Sequence, residues 1–490
     1  MAKSSEVMKY DVVVIGSGFG GLVCASLLSR EGRSVLVLER QVQPGGCIQS
    51  YQRGGFSFDT GFHYVGGLAE GQNLHRVFAS LGLMDLPWHR LDAEGFDQVT
   101  IGNQTFAFAE GYDAFVETLA AQFPQEREAL QQYVRMLQQV DAVKFGSSDA
   151  YQLFGTSAYE FLSRTFHDPL LLNVISGTAM KMELRKVSLP LFSFAHGNSS
   201  FIQSSWRLKG DGNLLVRKMV DDIKANGGAV ICKAEVQELI EKDGRITAAR
   251  CANGETYEGD TFISDIHPSQ TFALVKESSV LKRIFRMRMS NMENTFGMLT
   301  VSLILKPGML RYFNHNKYVY RKANVWTFFE EDAPVGGVMI SARVPQEGDF
   351  VRQVDLLTPM PWNLCEQWTD TTVGRRGEAY LSMKERMADA CVELAETVLP
   401  GLSSMISGRY ISTPLTYRDY TLTPHGSAFG VRKDCRNLVL TMLSSRTPLQ
   451  NLLLTGQNLM LPGLEGVAMT SLLACSEIIG KEKIQTILDN

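Results

Sequence analysis

The first forty residues of the chain join a buried-strand pattern to closely spaced glycines. Asp11 to Ile15 is an apolar, β-branched run, which is typical of a strand buried on both faces. It leads directly into Gly16-Ser17-Gly18, with Gly21 three positions later. In this spacing Gly16 permits a tight turn, Gly18 lets a pyrophosphate approach the backbone, and Gly21 lets the next helix pack closely on the strand. The pattern predicts a βαβ unit whose helix N-terminus faces phosphates.

A second strand pattern follows the predicted helix and ends on an acid. Ser34 is followed by four apolar residues up to Leu38, and Glu39 comes directly after them. A carboxylate at this point can bind both hydroxyls of an adenosine ribose, whereas it would repel a 2′-phosphate. The chain start lacks the small-residue cleavage site of a signal peptide. Strand, loop, helix, strand and acid together predict a bound dinucleotide, with NAD or FAD favoured over NADP.

Composition excludes several classes of protein. A length of 490 residues suggests about two to four domains. The net charge of −4 and the lack of basic runs argue against a nucleic-acid partner. No apolar stretch is long enough to predict a membrane span. The eight cysteines form no CxxC motif and the eight histidines form no HxxxH or HExxH pattern, so we expect free thiols in a reducing cytoplasm and no metal site.

The order of the predicted elements favours interleaved domains. Gly210-Asp-Gly212 precedes a helix but follows residues 206–209, which do not have the pattern of a buried strand. We therefore expect no second, separate NAD(P)H domain. If the bound nucleotide is FAD, a diffusing donor or the substrate itself must then supply the electrons. A β-meander lies in the middle of the chain, and a strand–glycine–helix unit closes it.

These elements predict a nucleotide domain made of three segments and a second domain made of the intervening ones. The nucleotide domain is expected at 1–80, 205–270 and 430–490, and the substrate domain at 81–204 and 271–429. Individual elements are also predicted from periodicity. We expect one helix over Ala158 to Ser176, a short strand over Thr261 to Asp265, a long strand over Thr295 to Lys306, and a closing helix over Gly466 to Ile479.

Several motifs beyond the glycine loop resemble one family of flavoproteins. A Gly-Gly doublet lies in Pro44-Gly45-Gly46-Cys47, and Phe56 to Gly66 contains an Asp-Thr-Gly turn followed by His63 and Tyr64. Near the other end, Asn451 to Asn458 and Pro462 to Val467 are similar to the same family. The chain resembles the FAD-dependent, amine-oxidase-like flavoproteins, in particular the retinol saturase, carotenoid isomerase and phytoene desaturase group. The similarity is strongest to the retinol saturases.

The resemblance implies an α/β fold. Its core would be a glutathione-reductase-like FAD-binding Rossmann domain assembled from three segments, with an inserted α+β substrate domain. It also implies a hydrophobic small-molecule substrate in an apolar tunnel, and a diffusing electron donor or acceptor. The residues that it places around FAD are Gly16, Ser17, Gly18 and Gly21 at the pyrophosphate, Glu39 and Arg40 at the adenosine ribose, Gly45, Gly46 and Cys47 on the path to the flavin, Val236 at the adenine, Gly456 and Gln457 at the ribityl chain or pyrophosphate, and Gly466 and Val467 at a second helix N-terminus near the flavin.

The catalytic candidates follow from this placement near the flavin. Saturating a C=C bond needs a hydride at one carbon and a proton at the other, and Tyr, His or water can donate that proton. His63 and Tyr64 are therefore the first candidates, with packing beside the flavin as the alternative. His425 is a second candidate, with a plain loop role as its alternative. Cys47 is interpreted as a small buried residue in preference to a covalent tether or redox thiol.

The leading functional hypothesis is an FAD-dependent oxidoreductase that acts on C=C bonds of a hydrophobic polyene or isoprenoid, with saturation favoured over desaturation. The alternatives are redox-neutral cis–trans isomerisation, oxidation of an amine or porphyrinogen, and a flavin-free lipid-escort protein. Methionines around residues 287–298 would line a lipid tunnel or fill the core. The arginines at 283–288 would contact membrane phosphates or form a solvated helix face. A cytoplasmic location with peripheral membrane contact is expected, and the oligomeric state stays open.

Overall fold

The computed structural model describes residues 9–143, 152–330 and 335–489. The strands, in chain order, are β1 (Lys9–Ile15), β2 (Val35–Leu38), β3 (Ser50–Arg53), β4 (Phe56–Asp59), β5 (Val65–Gly66), β6 (Trp88–Arg90), β7 (Asp97–Ile101), β8 (Gln104–Phe108), β9 (Ser205–Leu208), β10 (Ala229–Ile231), β11 (Val236–Lys242), β12 (Arg245–Cys251), β13 (Thr256–Ser264), β14 (Gly297–Leu305), β15 (Asn316–Tyr320), β16 (Gly337–Ala342), β17 (Gln353–Met360), β18 (Ile406–Ser412) and β19 (Leu452–Leu454).

Helices connect these strands and cover the sheets. They lie at Phe19–Arg30, Asn73–Ser80, Tyr112–Ala120, Arg127–Asp141, Ala158–Thr165, Pro169–Ser176, Leu191–Gln203, Asn213–Ala225, Pro268–Leu274, Arg283–Ser290, Glu378–Glu396, Leu402–Met405, Pro414–Thr421, Leu438–Thr441, Gly463–Ile479 and Lys481–Asp489. Within the three described ranges, none of the helices is long and apolar enough to cross a membrane.

The first sheet is the predicted nucleotide-binding sheet. Its strand order is β10-β2-β1-β13-β12-β11, and β19 also pairs with β13. The pairs from β10 to β13 and on to β19 are parallel, whereas β11, β12 and β13 form an antiparallel meander. Strand β1 is covered on both faces, because Val12 and Val14 enter one core cluster and Val13 and Ile15 enter another. The predicted α/β fold is therefore confirmed, with the parallel strands buried as their composition indicates.

The second sheet is larger and mostly antiparallel. Its order is β18-β14-β17-β16-β15-β7-β8, and the β15–β7 pair is its parallel step. Helix Glu378–Glu396 packs on one face through an apolar cluster. The other face turns toward the helices between Tyr112 and Gln203 and forms the largest apolar cluster with them. Strand β14 corresponds to the long strand predicted over Thr295 to Lys306.

Four predictions about individual elements were wrong in detail. The helix expected over Ala158 to Ser176 is two helices, because Pro169 starts a new one and Asp168 caps it by accepting the Leu170 N–H at 2.7 Å. Residues 206–209 contribute to a strand after all, since β9 pairs with β5 and β6 in a small separate sheet.

The short strand predicted from Thr261 is the end of β13, which begins at Thr256 because its first half pairs with the meander. The closing helix also begins earlier than predicted, at Gly463. The predicted domain boundaries remain predictions, although the first sheet does collect strands from three separate parts of the chain.

A buried ion pair joins the second sheet to the N-terminal segment. Arg343 follows β16 and donates to Asp59 at 2.5 Å and to the carbonyl of Gly210 at 2.8 Å. Asp59 also accepts the N–H of Gly212 at 2.8 Å. The Arg343 and Asp59 side chains are 14% and 10% exposed. The pair therefore ties the second sheet to strand β4 and to the loop after β9, through groups that have little contact with water.

Replacing Arg343 should weaken this connection. We expect Arg343→Met to lower the free energy of unfolding by about 3 kcal/mol, because Asp59 is left as a buried charge without its partner. Chemical denaturation measures the change. The control is Arg127→Met, which breaks the exposed pair with Glu117 and should have little effect. Equal losses in the two variants would contradict a structural role for the buried pair.

Candidate functional site

One cavity of about 820 Å³ connects the two sheets. At one end it is lined by the glycine loop after β1, by Glu39 after β2 and by Val236 at the start of β11. At the other end it reaches the face of the second sheet. The side chains that line this second end are largely apolar and include Met180, Met182, Leu189, Phe201, Met298, Met339, Leu357 and Phe429. The cavity thus has a polar end at the strand termini and an apolar chamber beyond it.

Most residues predicted for the cofactor and for catalysis line this cavity. They are Gly16, Ser17, Gly18, Glu39, Arg40, Gly46, Cys47, His63, Tyr64, Val236, Gly456, Gln457, Gly466 and Val467. Gly21 and Gly45 lie behind the wall and act through backbone packing. A methyl group on Gly21 would overlap the Gly16 carbonyl, and one on Gly45 would lie 2.6 Å from a methyl carbon of Val216.

The glycine loop and the acid after β2 are held together by hydrogen bonds. The Ser17 N–H donates to Glu39 at 3.0 Å, and the Ser17 hydroxyl donates to the same oxygen at 2.5 Å. The other Glu39 oxygen accepts the Gln41 N–H at 2.7 Å. The Gly45 N–H donates to the Ser17 carbonyl at 3.0 Å, which fixes the Gly-Gly doublet beside the loop. Helix Phe19–Arg30 has no side-chain cap at Gly18, so its N-terminus is available to an anion.

Arg40 and the helix at Gly463 show how distant segments close the polar end. The Arg40 guanidinium donates to the backbone carbonyls of Asp419 and Tyr420 at 2.7 and 3.0 Å. It therefore also tethers the end of helix Pro414–Thr421 to the predicted ribose site. Gly466 and Val467 lie in the first turn of helix Gly463–Ile479 and face the cavity.

Cys47 is exposed to the cavity, although many protein atoms lie around it. Burial raises the pKa of its thiol to about 11, and the nearby negative charge of Asp265 acts in the same direction. A thiol with such a pKa is protonated at neutral pH and is a poor nucleophile. The prediction of a small buried residue is therefore wrong about burial, because the Cys47 side chain is exposed to the cavity. Its protonated state nevertheless argues against a redox thiol.

His63 is positioned by an acid of the second sheet. Its Nδ1 lies 3.6 Å from an oxygen of Asp355, and its side chain is 9% exposed. Its Nε2 has no hydrogen-bond partner among the described residues. The pKa of Asp355 is lowered despite its burial, because His63, Arg343 and Ser302 all stabilise the carboxylate. One imidazole nitrogen therefore faces Asp355, and the other is a buried nitrogen without a partner among the described residues.

Tyr64 belongs to a buried polar network in the wall of the apolar chamber. Its hydroxyl donates to Asp97 at 2.9 Å, and Tyr318 lies 2.7 Å away. Because the one Tyr64 proton goes to Asp97, Tyr318 donates to Tyr64. Lys181 also donates to the Tyr64 hydroxyl at 3.4 Å, and its ammonium group lies 3.8 Å from the centre of the Phe201 ring. Burial lowers the pKa of Lys181 to about 8, although Asp97 opposes the shift.

The other sequence candidates lie elsewhere. His425 is exposed and does not line the cavity. Its ring stacks on that of Trp362, with 5.3 Å between the ring centres. Of the methionines, Met298 lines the cavity whereas Met289 is in a core cluster of the first sheet. The helix with the predicted membrane arginines uses Arg288 to donate to the Val439 carbonyl.

Several cavity groups gave no signal in the sequence. Lys433 is buried and donates to the carbonyls of Asn458 and Thr441 at 2.6 and 3.1 Å, and burial lowers its pKa to about 7. Asp265 lies at the glycine loop. His196 and Glu465 face each other at 3.7 Å in the cavity wall. Only the tertiary structure brings these residues together.

Metal and disulfide chemistry have no visible site in the described part of the chain. The eight cysteines are free. No group of three or more His, Cys, Asp or Glu side chains among the described residues has the geometry to hold a metal ion. The polar end of the cavity is instead suited to an organic anion.

Comparison with known proteins supports the assignment of a dinucleotide-binding domain to this part of the chain. Residues 14–81 match the family model described as an NAD(P)-binding Rossmann-like domain. The chain is 25% identical to human all-trans-retinol 13,14-reductase over 98% of its own length and 87% of that protein. It is 24% identical to a chloroplastic prolycopene isomerase 1 of an Oncidium hybrid cultivar, over 99% of the chain and 87% of that protein. The resemblance predicted from the motifs is therefore confirmed.

A solved structure shows the same fold. Wild-type putrescine oxidase bound to putrescine superimposes with a TM-score of 0.69 at 15% identity, over 97% of this chain and 100% of that one. The similarity extends across both sheets, so the predicted glutathione-reductase-like architecture with its Rossmann domain is confirmed. A dinucleotide cofactor is consistent with both the family model and the cavity.

The thiol of Cys47 offers a test of the cavity wall. We expect its alkylation by iodoacetamide to be slow at neutral pH and to rise about tenfold per pH unit without a plateau below about pH 9, because only the thiolate reacts. Peptide mass spectrometry of the protein, with Cys47→Ala as control, measures the rate. A plateau near neutral pH would show instead a reactive thiol.

Proposed function

We propose that the chain is an FAD-dependent enzyme that acts on C=C bonds of a hydrophobic polyene or isoprenoid, and that saturation is the favoured direction. The observation that carries the proposal is the continuous cavity, which joins a dinucleotide end to an apolar chamber with His63 and Tyr64 in its wall. The named relatives, a retinol reductase and a prolycopene isomerase, support the same substrate class.

The polar end fits FAD. The loop Gly16-Ser17-Gly18 and the uncapped helix behind it suit a pyrophosphate, and Glu39 suits the adenosine ribose. Gly456 lies beside the glycine loop, and Gln457, Gly466 and Val467 line the same cavity. We place the flavin between these residues and the apolar chamber. When bound and reduced, FAD supplies a hydride for one carbon of the double bond.

The second carbon needs a proton, for which His63 is the better-placed of the two candidates. Its Nε2 has no partner among the described residues, while Asp355 holds the other nitrogen. The Tyr64 proton, in contrast, is committed to Asp97. We therefore assign proton donation to His63, and to Tyr64 the role of shaping the chamber wall. The π electron pair of the double bond forms the second new C–H bond with this proton, which His63 gives up from Nε2.

Redox-neutral isomerisation is the second candidate function. The similarity to a prolycopene isomerase favours it, because the same fold and the same apolar chamber would serve both reactions. Oxidation of an amine has less support in spite of the shared fold. Lys181 and Lys433 both line the cavity, and two potential cations would disfavour a cationic substrate.

A polyene panel separates these functions. Protein reconstituted with FAD and reduced anaerobically with dithionite is incubated with retinoids and carotenoids, and products are examined by chromatography and mass spectrometry. We expect a mass gain of one H₂ for at least one compound. A new isomer of unchanged mass would support isomerisation instead, and no product from any compound would overturn the proposal.

Variants of the two wall residues test the proton donor. We expect His63→Gln to lower turnover at least about a hundredfold, because general acid catalysis is lost, while the flavin stays bound. Tyr64→Phe should have a smaller effect on turnover, since it keeps the ring and removes only the hydroxyl. Turnover is compared at equal flavin occupancy, measured by visible absorbance. Unchanged turnover in His63→Gln would remove His63 from the catalytic role.

A further inference from the structure

The carboxyl group of Asp265 lies inside the glycine loop. Asp265 directly follows β13, and its N–H donates to the carbonyl of Ile15 at 2.9 Å. This bond places the residue at the carboxyl ends of the parallel strands, next to the start of helix Phe19–Arg30. The side chain is part of the cavity lining. None of the sequence motifs pointed to it.

The glycines of the dinucleotide motif leave room for this carboxyl group. A methyl group on Gly20 or on Gly456 would lie 2.5 Å from one Asp265 oxygen, and one on Gly18 would collide with the other oxygen. The Gly21 N–H is near enough to this carboxyl group to act against the rise of its pKa. The sequence pattern assigned Gly18 to the approach of a pyrophosphate, but in the structure the same glycine also admits the Asp265 side chain.

A charged carboxylate at this position conflicts with a bound pyrophosphate. The uncapped N-terminus of helix Phe19–Arg30 attracts an anion, and the pyrophosphate brings two negative charges to it. A third negative charge, on the Asp265 carboxylate, would be repelled by both phosphate charges, because little water is present to screen them. A protonated carboxyl group is neutral and has an O–H donor to offer to a phosphate oxygen.

The surroundings of Asp265 already favour the neutral form. Burial raises the pKa of Asp265 to about 7, the Glu39 charge adds to the effect, and the Gly21 N–H opposes it. The Cys47 thiol, whose pKa the Asp265 charge also raises, is protonated near neutral pH because that pKa is about 11. Burial lowers the pKa of His267 to about 4, so this ring is neutral at neutral pH. Burial also lowers the pKa of Lys433 to about 7, so this ammonium group loses its charge over the pH range in which Asp265 gains one.

We propose that Asp265 is a cofactor-binding residue, and that its carboxyl group is protonated when it holds the FAD pyrophosphate. This inference rests on the proposed binding of FAD and adds a residue and a protonation state to it. The consequence is that FAD binding takes up a proton whenever free Asp265 is ionised. Affinity should be constant at pH values below the free pKa of about 7 and should fall above it. The expected slope is up to about tenfold in dissociation constant per pH unit.

The test is the pH dependence of FAD binding to the full-length apoprotein. Dissociation constants are measured by quenching of flavin fluorescence from about pH 6 to about pH 9, where the FAD pyrophosphate does not titrate. Wild-type protein should show the loss of affinity above neutral pH. Asp265→Asn should bind FAD with a clearly shallower profile, because the amide is neutral and still donates a hydrogen bond. The slope that remains in this variant is the contribution of Lys433, which loses its charge near pH 7.

A matched control variant and a second measurement show whether Asp265 itself causes the pH dependence. Asp260→Asn changes an exposed acid at the middle of the same strand and should keep the wild-type profile. Calorimetry in two buffers of different ionisation enthalpy counts the protons taken up on binding. Above neutral pH, uptake should be larger in the wild-type protein than in Asp265→Asn by about one proton per FAD.

The possible outcomes distinguish the role of Asp265 from the proposed binding of FAD. Tight binding with a flat profile and no proton uptake in the wild-type protein would overturn the role of Asp265 and leave FAD binding intact. An unchanged slope in Asp265→Asn would also overturn it. Failure of the wild-type protein to bind FAD at any pH would overturn the proposed cofactor itself.

Discussion

The site depends on backbone hydrogen bonds between distant segments at the carboxyl edge of one parallel sheet. The Asp265 N–H bonds to the carbonyl of Ile15, and the Thr455 N–H bonds to the carbonyl of Ser264, each at 2.9 Å. These bonds extend the parallel ladder by one step at its end and bring the glycine loop, the end of β13 and the end of β19 together. Every group that we assign to the dinucleotide is positioned from this edge, as expected for ligand sites in open α/β sheets.

The parts of the site that could be predicted are those with a local cause. Gly16, Gly18 and Glu39 are recognisable because a turn, a close approach and a ribose contact each demand a residue type at a fixed distance from a strand. The helix expected over Ala158 to Ser176 failed for a local reason as well, since the capping pair Asp168-Pro169 outweighs continuous periodicity.

The groups that could not be predicted depend on tertiary contacts. Lys181 and Asp97 are far apart in sequence, and neither is part of a motif, yet both surround the Tyr64 hydroxyl. Asp265 was included in a predicted strand, but its chemistry arises from the glycines of two other segments. Buried charges of this kind are costly unless they are paired or neutral, so the fold that brings them together also determines their protonation.

The central claim is that one continuous cavity holds both the dinucleotide and an apolar chain. A crystal structure of the protein with FAD and a polyene tests it most directly. The account predicts the pyrophosphate at Gly16 to Gly18, within reach of Asp265, and the polyene in the chamber lined by Met298 and Phe429, with His63 beside it. A polyene bound outside this chamber, or a pyrophosphate away from the glycine loop, would contradict the account.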